Sequence, residues 1–116
     1  MKNATSNIQH SNLQGLSFIR GKETFYARPA EIIRMEARSN YTYVFFTNHR
    51  PVLMAKVLRM YEEHLRPYGF IRTHRSHLVN SRYVEGLDRK EIRMRDSSCA
   101  EISRRRKREV YTILHS

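Results

Sequence analysis

The 116-residue chain contains one cysteine, Cys99, and no tryptophan. A single thiol excludes an internal disulfide and any cysteine-rich metal centre, and it fits a reducing compartment. Cys99 itself reads as a small, half-buried hydrophobe. There is no long apolar run and no signal-peptide pattern over Met1 to Leu13, so a cytoplasmic protein with no membrane contact is expected. Acidic groups are scarce: 11 Asp and Glu stand against 22 Lys and Arg, leaving a formal charge of +11 and a pI near 10.4. Self-repulsion at that charge opposes compaction, so a polyanionic partner, nucleic acid first, explains it better than solubility alone. Enzyme signatures are missing too: there is no Gly-rich phosphate loop, no H-E-x-x-H and no nucleophile elbow. The chain is therefore read as a non-enzymatic module with no cofactor.

Its length fits one domain with a real core. Residues 1–15 lack hydrophobic periodicity and end at Gly15, which reads as a disordered tail or linker remnant, with the domain over 16–116. Leu16 to Arg20 and Glu23 to Ala27 form a hairpin about Gly21-Lys22. Ile32 to Arg38 alternates, with Ile33, Met35 and Ala37 on one side and Arg34, Glu36 and Arg38 on the other, as in a half-buried strand. After a Ser39-Asn40 turn, Tyr41 to Thr47 carries Tyr, Val and Phe on both faces and reads as a central strand covered on each side. Asn48 to Pro51 turns the chain into a strand at Val52 to Ala55. Helical spacing of Val57, Leu58, Tyr61 and Leu65 then predicts a helix between Lys56 and Arg66, ended by Pro67 and Gly69. Short strands are expected at Tyr83 to Leu87, Ile92 to Met94 and Ala100 to Ile102. Ser103 is placed as the cap of a last helix with Arg104 to Arg108 in its first turns and Val110, Ile113 and Leu114 on its apolar side. Cations crowded at the positive end of a helix repel it, and a bound anion would relieve them. The fold class is mainly β.

The chemistry concentrates in Phe70 to Asn80, F-I-R-T-H-R-S-H-L-V-N. It opens and closes as a strand, yet holds Arg72, His74, Arg75, Ser76 and His77 within six positions. Burying such groups unpaired costs roughly several kcal/mol, so the segment is expected to face water or an anion. His74 and His77 lack a nearby carboxylate or cysteine, and their spacing on a strand or loop does not make them converge, so no metal is assigned. Three places carry guanidinium, amide, imidazole and hydroxyl groups suited to phosphates or base edges: Arg38 to Thr42, Arg72 to His77 and Ser103 to Arg108. Arg38 is assigned to the DNA backbone, and Lys107, in the charge run, to phosphate neutralisation. The aromatic K/R-G-F/Y motif of an RNA-binding sheet is missing, as are the two adjacent helices of a helix-turn-helix. A β-rich domain that reads duplex DNA from loops remains. The alternatives are an RNA or single-stranded nucleic-acid binder, or a charged protein-interaction domain.

The segments E-I-I-R-M-E-A-R-S-N-Y-T-Y-V, F-I-R-T-H-R-S-H-L-V-N and I-S-R-R-R, in that order, resemble the LytTR family of bacterial DNA-binding domains, from about Leu16 to Leu114. Thr73 stands where an aliphatic is usual and His77 where an aromatic is usual. The resemblance implies about ten short strands in small sheets with one or two short helices. It implies a transcriptional regulator of two-component type, commonly with an upstream receiver domain phosphorylated by a histidine kinase. By motif position it assigns base reading in successive major grooves to the loop at Asn40 and Tyr41, to Arg75 and to Arg105, and places His74, Ser76, Ser103 and Arg104 near phosphates. It further implies paired direct repeats as targets. Because the +11 charge arises from one compact domain, a monomer in solution that pairs only on adjacent DNA sites is expected.

Overall fold

The computed structural model describes residues 15–115. The tail expected over 1–15 lies outside this range except for Gly15. Ten strands form three small antiparallel sheets, and two helices pack on them. Strands β1 (Leu16–Arg20) and β2 (Glu23–Ala27) make the expected hairpin, with Gly21 at φ 63° where a side chain would be strained. A five-stranded sheet is the centre of the molecule. Its order is β5 (Val52–Met54), β4 (Tyr41–Phe46), β3 (Ile32–Arg38), β7 (His77–Asn80), β6 (Phe70–His74). Strands β8 (Val84–Leu87), β9 (Glu91–Met94) and β10 (Cys99–Glu101) form the third sheet.

Helix α1 (Leu58–Leu65) buries Leu58, Tyr61 and Leu65 on the stripe that its spacing dictates. It has no side-chain cap at Val57, and a 3₁₀ turn over Arg66–Tyr68 ends at Gly69, whose φ of 88° only glycine adopts without strain. Helix α2 (Lys107–Leu114) begins later than the sequence suggests. Arg104 to Arg106 form a turn ahead of it, in which the Ser103 hydroxyl accepts the Arg106 amide at 3.2 Å. Within the first turn only Lys107 and Arg108 meet the positive end of the dipole, behind Arg106 at the N-cap, and Glu109 offsets them.

The central sheet divides two cores. On one face Leu16, Phe18, Phe25, Met35, Val44, Phe46, Leu58, Tyr61, Leu65, Phe70 and Leu78 pack together. On the other, Ile33, Ile71 and Val79 meet Ile92, Met94, Ala100, Ile102 and Val110 from the third sheet and α2. The structure corrects four expectations. The register of β3 against β4 shifts between Ile32 and Arg34, so the bulge sends Ile32 to the first core and Ile33 to the second, where simple alternation puts Ile33 beside Met35. Arg34, expected outside, is buried, with its Nε donating to Ser98 Oγ at 2.9 Å and its NH1 to Glu36 at 3.0 Å. Nor is β4 covered equally on both faces. Thr42, Val44 and Phe46 are buried, whereas Tyr43 and Phe45 are half-buried under the guanidinium groups of Arg38 and Arg34, at 5.1 and 4.0 Å from the ring centres. The second layer sits over β3, β7 and β6, and the flanking arginines substitute for it over β4. Cys99 is exposed rather than half-buried, because its neighbour Ala100 takes the inward position on β10.

Candidate nucleic-acid interface

Strand register brings the three polar segments to one end of the central sheet. β3 ends at Arg38 and β4 begins at Tyr41, so Ser39-Asn40 is the tip of that hairpin, with Ser39 held at a left-handed φ of 58°. β7 runs antiparallel to β3 with Glu36 opposite His77, which places the β6–β7 turn beside the same tip. The Ala37 amide donates to the Ser76 carbonyl at 2.8 Å and joins the two loops through the backbone. The third loop is tied to the second. The Ser103 amide donates to the Thr73 carbonyl and the Thr73 hydroxyl donates to the Glu101 carbonyl, both at 2.8 Å. Thr73 is fully buried, so a hydroxyl in place of an aliphatic is what links β6 to the end of β10.

The 70–80 segment does not simply face solvent. Arg72 turns inward: its Nε donates to the His74 carbonyl at 2.9 Å, NH2 to the Arg75 carbonyl at 2.6 Å, and NH1 to Glu62 of α1 at 2.6 Å. The guanidinium fork thereby holds the turn from beneath. The ion pair and two carbonyl hydrogen bonds offset the desolvation penalty that would otherwise keep such a group in water. His74 Nδ1 accepts the Ser76 amide at 3.0 Å and closes the turn locally. At the far end buried Asn80 donates to the Pro29 and Ile32 carbonyls and accepts the Arg82 amide, so it serves the fold. Sequence reasoning missed Glu62 and Arg72 as supports; the Glu62–Arg72 pair, ten residues apart, bridges two elements and leaves no local pattern.

What remains outside is selective. Arg75, Arg104 and Arg105 are exposed and, among the described residues, have neither an ion pair nor a side-chain hydrogen bond; Lys107 is half-exposed and equally unpaired. Asn40 and Tyr41 are exposed at the neighbouring tip. Ser76 and Ser103 are half-buried at the loop bases, and Arg38 is exposed but engaged by Glu36 at 3.3 Å. All the expected contact residues thus lie on the three loops or their immediate flanks.

The geometry overturns both grounds for assigning no metal. His74 and His77 face each other across the β6–β7 pair, with ring centres 5.5 Å apart, and β10 brings Glu101 to them. The carboxylate that the sequence places 24 positions away is a spatial neighbour. His77 is itself buried, and burial pushes its pKa below the ordinary 6.5, with Arg34 and His74 acting in the same direction against Glu36 and Glu101. A folded-state pKa below the unfolded one means that the unfolded chain binds the proton more readily. Stability is accordingly expected to hold above about pH 6.5 and to fall as pH drops below it. Urea unfolding across that window, in the presence of a chelator, should show the slope, and His77→Phe should flatten it; an unchanged slope would contradict the assignment.

A β-rich domain that gathers three cation-bearing loops at one end has the architecture of a nucleic-acid-binding module. A sequence profile described as the LytTr DNA-binding domain matches residues 22–115, and the chain belongs to that family. No curated protein matches the chain. Among solved structures it is similar to the LytTr DNA-binding domain of a Bacillus cereus protein described as a methyl-accepting/DNA response regulator. The TM-score is 0.78 at 19% identity, with 88% of this chain and 97% of that one covered. The likeness extends to the mainly β architecture of ten strands in three small sheets with two helices.

Proposed function

We propose that this domain is the DNA-reading part of a transcriptional regulator and recognises a specific duplex sequence through its three loops. The observation that carries the reading is the sorting of its arginines. Arg34 and Arg72 are consumed inside the fold, whereas Arg75 and Arg105 stand unpaired among the described residues, on adjoining loops that backbone hydrogen bonds fix relative to one another. Cations kept free on rigid supports suit bidentate contact with guanine edges in a major groove. Asn40 and Tyr41 add a third point of base contact, while Arg38, His74, Ser76, Ser103, Arg104 and Lys107 hold the flanking phosphates. Family membership supports a two-component setting, in which a receiver domain or a histidine kinase pathway supplies the signal. Paired direct repeats are the expected targets, bound in the cytoplasm by a protein that is monomeric until it meets DNA. Light scattering that showed a salt-resistant dimer without DNA would contradict that last point.

Selection of bound duplexes from a random pool tests the reading: a defined motif should be enriched, and an unenriched pool would remove it. Competition with nonspecific duplex, single strands and RNA separates it from the RNA-binding and protein-interaction alternatives. Lys107 supplies a second check. Its loss should weaken binding to all sequences alike and reduce the slope of log K against log salt by about 0.9, the value for one phosphate contact on duplex DNA. Titrations of Lys107→Ala at several salt concentrations would show a sequence-dependent loss if this residue instead touched bases.

A further inference from the structure

We propose that His74, His77 and Glu101 form a binding site for one Zn²⁺ ion, with two imidazole nitrogens and a carboxylate oxygen as ligands and the fourth position left to water. One ligand atom from each residue lies within 4.8 Å of the others. His77 Nε2 stands 3.8 Å from Glu101 Oε1, too far for a hydrogen bond. Zinc bonds of about 2.0–2.2 Å in tetrahedral geometry separate ligand atoms by roughly 3.3–3.5 Å, so a small contraction completes the set. The residue free to supply that contraction is Glu101, whose side chain is 70% exposed.

The state of the His77 ring is compatible with a ligand role. The His77 side chain is more than nine-tenths buried, and its Nδ1 has no hydrogen-bond partner among the described residues. A buried imidazole with no hydrogen bond to fix its tautomer can present either nitrogen to a metal. Two nitrogens and one oxygen suit zinc and oppose calcium or magnesium, which take oxygen ligands. The fold supports the site from three sides. His74 and His77 are paired across β6 and β7, and the bond from the Thr73 hydroxyl to the Glu101 carbonyl locks β10 beside them.

Occupancy has a local consequence. Neutral His74 holds its lone pair at Nδ1, where it accepts the Ser76 amide. Zinc at Nδ1 takes that lone pair, and zinc at Nε2 requires the proton to move to Nδ1; either route ends the bond to Ser76. Metal binding therefore reports itself in the backbone of the β6–β7 turn. The inference does not rest on DNA recognition and is tested without DNA.

Chelator-cleared protein would be titrated with Zn²⁺ alone by calorimetry and with Co²⁺ by visible absorption, while the Ser76 amide is followed by NMR. The expected result is one ion per chain at micromolar concentration, a tetrahedral Co²⁺ spectrum and a displaced Ser76 amide. Glu101→Ala and His74→Gln should each weaken binding at least tenfold. Both change partly or largely exposed side chains and so spare the fold, unlike substitution of buried His77. Cys99→Ser, an exposed neighbour on β10, should bind as the parent does. Absence of saturable binding at micromolar Zn²⁺, or undiminished binding in Glu101→Ala and His74→Gln, would overturn the proposal, the latter by placing the ion elsewhere.

Discussion

Phe70→Ala is expected to destabilise the domain by about 3–5 kcal/mol, the usual range for truncating a large buried aromatic. Phe70 opens β6 at 4% exposure and joins the core that also holds Met35, Tyr61, Leu65 and Leu78. Its strand neighbour Ile71 faces the opposite core, so β6 is held by apolar contacts on both faces just before it enters the polar turn. Removing the ring leaves a cavity beneath an edge strand of the central sheet, where the 3₁₀ turn before it and the Asn80 pair opposite limit collapse. A loss of that size consumes a large share of the roughly 5–15 kcal/mol that stabilises a typical domain. Denaturant unfolding measures it directly. A midpoint equal to that of the parent would show that Phe70 does not anchor the strand.

Arg75→Ala is expected to abolish base preference at one position of the selected site, a difference of about 1–3 kcal/mol or roughly fivefold to 150-fold, while leaving folding intact. The guanidinium is exposed and has no partner among the described residues, but its backbone is not free: Arg72 grips the Arg75 carbonyl and the preceding one, and Glu62 anchors Arg72 to α1. Such support keeps a reading group in register with its target. Arg72→Ala should behave differently, because it touches no base in this reading. It should lower stability and weaken binding to the site and its single-base variants together. Affinities of both variants for a panel of single-base substitutions separate the roles. Retention of the full parental preference by Arg75→Ala would defeat the assignment of this turn to base reading, even if DNA were still bound.

Much of this architecture was legible in the sequence because it is written locally. Gly21-Lys22, Ser39-Asn40 and Gly69 mark turns whose chemistry needs no partner, and the spacing of Leu58, Tyr61 and Leu65 defines a helix stripe from one segment alone. What escaped is non-local. The bulge that sends Ile32 and Ile33 to opposite cores exists because both faces of β3 are covered, which no window on β3 reveals. The inward turn of Arg34 and Arg72 depends on Ser98 and Glu62, contributed by other elements. A basic residue in a polar run looks the same from sequence whether it meets a phosphate or a carbonyl. Motif and charge singled out the candidate residues, but which of them stand exposed and which support the fold emerges only from the pairing of β3 with β7 and of Ser103 with Thr73.

The backbone bonds from Ala37 to Ser76 and from Ser103 to Thr73 set the three loops at fixed offsets, independent of the side chains they display. Composition and spacing thereby become separate variables. Exchanging Arg75, Arg105 or Asn40 alters which groups are offered at each point, whereas the intervals between those points belong to the sheet and persist through such exchanges. On the proposed reading of the loops, a lineage of these domains can diversify what it recognises by single substitutions at loop tips without rebuilding its frame.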